Sequence, residues 1–135
     1  MAKQQLPERA LLIRSPHIEK VLARTKTWEI RSRSTNVRGR IGLIRSKSGE
    51  VVGTCDLVDV IGPLRYGEFR DNARKWGGKA SDVERGDHLM HYAWVLRNAR
   101  PFRTPVPYRH PSGAITWVRL TPKALRVLKR PIGPT

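Results

Sequence analysis

The run VVGTCDLVDVI, residues 51–61, constrains the fold more than any other segment. It is rich in β-branched residues, and a period of two puts Cys55, Leu57 and Asp59 on one face and Asp56, Val58 and Val60 on the other. Apolar residues on both faces predict a strand inside a barrel or sandwich wall. The preceding RIGLIR, residues 40–45, and a turn at Lys47–Glu50 make it the second arm of a β-hairpin.

The other segments agree with a sheet. ALLIR, residues 10–14, is a short apolar strand, and Ser15-Pro16 reads as a capping hydroxyl followed by proline at the first helical position. That helix is expected to run to about Arg24, with Ile18, Val21 and Leu22 on its buried face. Residues 27–31 alternate again, so that Thr27, Glu29 and Arg31 share one strand face and Trp28 turns to the core. Residues 91–96 and 114–120 read as strands carrying the core residues Trp94 and Trp117, joined by a connection containing Pro101, Pro105, Pro107 and Pro111. Between them and the hairpin, Tyr66 to Asp87 forms a helical insertion with Phe69, Ala73 and Trp76 at helical spacing. Thr121-Pro122 signals a last short helix with Leu125 and Leu128 as its apolar pair. Strands outnumber helices and irregular loops separate them, which predicts an α+β chain built as a small curved or closed barrel with peripheral helices. At 135 residues one domain is expected. Its span is 10–130, with the insertion at about 64–88, an N-terminal extension at 1–9 and a flexible tail at 131–135.

Charge points to the partner. Lys and Arg number 27 against 11 Asp and Glu, a formal excess of +16. Between Glu29 and Glu50 six basic residues occur with no acidic one, and nine more follow Asp87 without an acid, whereas the insertion is nearly balanced. Unopposed tracts favour a basic surface over a solubility device, and most of the cations are arginines suited to planar phosphate contacts. Nucleic acid, either RNA or single-stranded DNA, is the expected partner. A membrane is not, since no apolar run approaches 18 residues and no signal-peptide stretch opens the sequence. A soluble intracellular protein is expected, cytoplasmic or nucleoid-associated, with oligomeric state left open. The single cysteine, Cys55, forms no internal disulfide and reads as a small apolar residue. His88 and His91 lie beside Asp87 at a metal-compatible spacing but lack a third partner, so no metal and no cofactor is expected.

The order strand, Arg14-Ser15-Pro16-His17, helix, Thr25 to Arg31, basic turn and Gly39-Arg40-Ile41-Gly42 resembles the ASCH domain. Gly53 to Val60 looks like its central G-x-x-x-L-x-D-V strand, and Tyr92 to Leu96, Pro105, Pro107 and Ile115 to Trp117 resemble its closing segment. The resemblance implies a PUA-like mixed β-barrel of about five to six strands, with a cleft around the Lys-Thr-x-Glu-x-Arg motif of residues 26–31. It also implies nucleic-acid binding, with RNA cleavage or hydrolysis of acetylcytidine as alternatives. The acetylcytidine hydrolases have Lys-Thr-x-Thr, and this chain has Glu29 where the second threonine stands.

Within that motif Lys26 and Arg31 are expected to hold a phosphate, while Glu29 accepts hydrogen bonds from a base edge or moves a proton. An internal salt-bridge network is the competing reading of the same three residues. Arg33, Arg38 and Arg40 extend the basic surface, with Tyr108 and Arg109 in a loop offered to a base and Ser15 either capping a helix or touching the ligand. In an enzyme Lys26 and Glu29 carry the chemistry, with Thr27 or His110 as weaker candidates. A third class, a protein-interaction module, would dock through residues 66–87.

Overall fold

A computed structural model of the chain describes residues 6–82 and 91–125. The chain order is β1 (Arg9–Ile13), α1 (His17–Leu22), β2 (Trp28–Arg31), β3 (Gly39–Arg45), β4 (Glu50–Ile61), α2 (Tyr66–Asp71), α3 (Ala73–Trp76), a 3-10 turn (Ala80–Asp82), β5 (Tyr92–Pro107) and β6 (Trp117–Arg119). Six strands form one curled sheet in the order β2-β5-β4-β3-β1-β6, a half-barrel with β2 and β6 at its edges. The sheet is mixed, because β1 pairs parallel with β3 while every other pair is antiparallel. The expected α+β barrel of five to six strands with short helices is therefore the fold.

The expected hairpin is β3 and β4, and β4 is buried through most of its first half, with both of its faces in apolar clusters. Cys55 and Leu57 lie in the inner core with Leu11, Ile13, Ile18, Val21, Ile41 and Trp94. Val51 faces a second cluster with Ala10, Leu12, Ile44, Tyr108 and Val118. The alternation slips after Leu57, where the register against β5 shifts. Asp59 turns to solvent and Val60 packs against the inner core, the reverse of their expected faces. A bulge adds one unpaired residue and so exchanges the faces of the residues beyond it.

Two further expectations are corrected. The segment from Arg97 to Pro107, read as a connection, belongs to β5, a 16-residue strand. β2 pairs only with Tyr92–Val95, so the outer edge beyond has no strand partner and tolerates Pro101, Pro105 and Pro107. The first helix begins at His17 with Pro16 at its cap, one position later than expected, and it ends at Leu22 instead of near Arg24. Ser15 caps no backbone group; its hydroxyl donates to Glu19 Oε1 at 2.6 Å. At the chain's other end Thr121 Oγ1 accepts from Ala124 N at 3.1 Å, as the turn signal predicts, while Leu128 and residues 131–135 lie outside the described residues.

The insertion packs on the outer face of β2 and β5, where Phe69 and Leu64 meet Trp28, Ala93 and Val95. Its continuation through residues 83–88 lies outside the described residues. Among the described residues no helix is long and apolar enough to cross a membrane.

Candidate functional site: a basic cleft at the sheet seam

The parallel pairing of β1 and β3 fixes where the site falls. Ile13 is opposite Arg45, so both strands end at the same side of the sheet and deliver Arg14 and the Ser46–Gly49 turn to one place. Ser46 N donates to Ile13 O at 3.0 Å and holds that turn against β1. β2 lies across the seam from them, because it is the far edge of the curled sheet. A cleft of about 970 Å³ opens between these elements.

On β2 the expected convergence is present. Glu29 Oε2 accepts from Arg31 Nε at 2.9 Å and lies 2.8 Å from its Nη2, so one carboxylate oxygen meets both nitrogens, and Glu29 Oε1 lies 3.4 Å from Lys26 Nζ. Lys26 and Glu29 are 4% and 7% exposed, so this carboxylate sits almost out of water between two cations. Each cation is also tied to backbone. Lys26 Nζ donates to Trp76 O at 2.9 Å, at the end of α3, and Arg31 Nη2 donates to Leu12 O at 2.6 Å across the seam. Arg31 thus closes the barrel where no strand pairing does, and its guanidinium lies 5.7 Å from the centre of the Trp94 ring, itself stacked on Trp117. Burial lowers the Lys26 pKa, with Glu29 opposing the shift.

The cleft brings together Lys26, Glu29 and Arg31 with Tyr108 and His110 from the expected set. It leaves out Ser15, Thr27 and Arg109. Arg33 is exposed on the loop after β2, and Arg38 and Arg40 line a separate groove. Tyr108, expected in an exposed loop, is buried; its hydroxyl lies 2.8 Å from His110 Nδ1, and burial raises its pKa. The loop reading failed because β5 runs on to Pro107 and carries Tyr108 into the second core cluster. His110 Nε2 lies 2.9 Å from the Ala114 carbonyl, which only accepts. Nε2 therefore carries a proton and, in the neutral ring, Nδ1 accepts from Tyr108, so both nitrogens are engaged.

Cleft residues outside the expected site set are Arg14, His17 and Lys47 on the polar side and Phe69, Trp76 and Ile115 on the apolar side. Among the described residues Arg14 and Lys47 make no side-chain hydrogen bond or ion pair, unlike Lys26 and Arg31. His17 is exposed at the start of α1, and burial, then the nearby Lys26 charge, lowers its pKa, so the ring is neutral at pH 7. Ile115 is 83% exposed at the cleft mouth. The signal for Arg14 and Lys47 was their position just past two strands, which becomes informative only once those strands are known to run parallel.

A curled mixed sheet with a cleft at its seam defines a small PUA-like α+β domain. The sequence model of the ASCH domain matches residues 11–106, and the chain belongs to that family. In fold it is similar to ASCH from Zymomonas mobilis, at 16% identity, TM-score 0.64, 90% of this chain and 92% of that one. It is also similar to serine-to-alanine and tyrosine-to-phenylalanine mutants of that protein. The first is 15% identical with TM-score 0.61 and covers 90% and 93% of the two chains. The second is 15% identical with TM-score 0.60 and covers 90% and 95%. No curated protein matches the sequence.

Proposed function

We propose that the chain binds RNA or single-stranded DNA, taking an unpaired nucleotide into the cleft. The observation that carries this reading is the pairing of free cations with a satisfied, buried carboxylate in one opening. Four cations face one carboxylate, which leaves an anion-attracting site with His17 neutral. Lys26 and Arg31 are held by Glu29 and by the carbonyls of Trp76 and Leu12, so Arg14 and Lys47 are the groups free to meet a phosphate. A carboxylate has about four acceptor positions. Glu29 retains acceptor capacity for the donor edge of a base, in an orientation locked by Arg31. Trp76 and Ile115 supply the apolar contact that unpaired bases seek. Photocrosslinking with 4-thiouridine RNA tests the reading by peptide mapping: adducts are expected on residues 14–17, 46–49, 76 and 114–115. Adducts confined to other surfaces would overturn it.

One observation favours a second reading, metal-independent RNA cleavage. The neutral, exposed His17 imidazole shares the cleft with Lys26 and Glu29. In this reading His17 takes the 2′-hydroxyl proton as that oxygen attacks phosphorus and the P–O5′ bond breaks, Arg14 and Lys47 stabilise the charge on phosphorus, and water protonates the departing 5′-oxygen. Cleavage that survives chelators and is lost in His17→Ala supports it. Acetylcytidine hydrolysis gains no support, since Thr27 does not line the cleft and the Lys26 amine is bonded to Trp76 O. The first half of the insertion is likewise spent on packing against β2 and β5, which leaves the protein-docking reading without an observation to favour it.

A further inference from the structure

The groove holding Arg38 and Arg40 has a place in the fold that the cleft does not explain. It lies where β1 and β3 begin and is lined by Glu8, Arg9, Asn36, Arg38 and Arg40, whereas the cleft lies where those strands end. Arg9 and Arg14 are thus separated by about 17 Å along β1. Three guanidiniums face one carboxylate there. None of the three is consumed by an acid among the described residues: Asp56, opposite Arg40 in the ladder, accepts from Asn98 Nδ2 at 2.8 Å instead. Arg38 is held in place by its own loop, with Nη1 donating to the carbonyls of Thr35 and Val37 at 2.8 Å each. A guanidinium has five N–H donors, so those on Nε and Nη2 stay available in a fixed position.

The cleft and the groove are joined by one segment. β2 ends at Arg31 in the cleft, and residues 32–38 run from there to the groove. That segment is pinned to the barrel, since Arg33 O accepts from Trp94 Nε1 at 2.8 Å and Val37 packs on the inner core. It exposes Ser32, Arg33, Ser34 and Asn36 and contains no acidic residue.

We propose that the groove of Arg9, Arg38 and Arg40 is a second phosphate-binding site, and that a single strand of nucleic acid runs from the cleft along residues 32–38 into it. The inference rests on the cleft reading and extends it: the cleft takes one nucleotide, and the groove makes affinity depend on strand length. Polyanion contacts of this kind add a salt-dependent term of about 0.7 per phosphate neutralised on a single strand.

Fluorescence anisotropy with random-sequence RNAs of three and twelve nucleotides tests this in the wild type and in the triple variant Arg9→Ala, Arg38→Ala, Arg40→Ala. The wild type is expected to bind the longer RNA more tightly. The triple variant is expected to lose roughly tenfold or more of that affinity, and the slope of log K against log salt should flatten by about 2. Its affinity for the three-nucleotide RNA should be unchanged, which also reports that the cleft is intact. Arg38→Glu alone should weaken only the longer RNA. Wild-type affinity of the triple variant for the longer RNA overturns the groove while leaving the cleft standing. Equal losses for both RNAs overturn it as a separate site. A wild type that binds neither RNA refutes the cleft reading and this inference with it.

Discussion

Replacing Glu29 by glutamine should destabilise the domain and change how its stability depends on pH. The amide keeps the shape of the carboxylate but removes the charge that Lys26 and Arg31 share. The side chain of Lys26 is 3% exposed, so its ammonium would be left with neutral acceptors alone, Trp76 O at 2.9 Å and the amide oxygen, whereas Arg31, 22% exposed, keeps Leu12 O and some water. Removing one partner of a buried pair costs about 3–5 kcal/mol, and the partly solvated arginine puts this case near the lower end, about 3 kcal/mol. For a chain of this size that is a fall in Tm of about 12 °C. The pH dependence follows from Lys26, whose folded pKa already lies below its ordinary 10.5 because of burial. Between the folded value and 10.5 the unfolded chain holds more protons than the folded one, so stability attributable to Lys26 rises with pH across that window. Without Glu29 the folded pKa drops further, the window widens downward and the rise is larger. Urea unfolding of the wild type and Glu29→Gln at pH 7 and pH 10 measures both effects: the gap between them should be about 3 kcal/mol at pH 7 and smaller at pH 10. Adding Lys26→Met to Glu29→Gln should cost less than the two single changes summed. A loss below about 1 kcal/mol at pH 7, or a gap that does not shrink with pH, would refute the buried-pair account.

Three other predictions concern separate parts of the molecule. Gly53→Ala would drive a Cβ into the Arg100 carbonyl and to 2.8 Å from Leu22 Cδ2, so thermal unfolding should show a loss of about 3 kcal/mol; a Tm near wild type would show that β4 and β5 are not so closely apposed. His17 should titrate below 6.5 by NMR, with stability lost as pH falls through that range because the unfolded chain takes the proton first, and bound RNA should raise its pKa; a free value above 6.5 contradicts the site's electrostatics. Ile115→Asp, at an 83% exposed position, should leave Tm within a degree or two and weaken RNA binding by about 1 kcal/mol, whereas unchanged affinity removes Ile115 from the site.

Local periodicity made much of this molecule legible. The alternation through residues 27–31 placed Glu29 and Arg31 on one face with Trp28 on the other, and the structure keeps that arrangement because a four-residue strand has no room for a register slip. β4 shows the limit of the same rule. Its bulges depend on how β5 pairs with it, and nothing local to Asp59 or Val60 announces them. The prolines of β5 misled for a related reason: proline excludes a strand only where its missing N–H is needed, and an edge without a partner does not need it. The candidate cleft was half visible. Residues that meet within one strand were found, but Arg14 and Lys47 are brought together by a parallel pairing between distant segments. Arg38 and Arg40, adjacent to the motif in sequence, lie at the other end of those strands.

The central claim is that free cations at the ends of β1 and β3 bind phosphate while the buried triad organises the cleft. Its most direct test is the salt dependence of single-stranded RNA affinity in Arg14→Ala, Lys47→Ala. The claim predicts a wild-type Tm, a large loss of affinity and a slope flatter by about 1.4 for two phosphate contacts. Affinity and slope equal to wild type in that variant would contradict it.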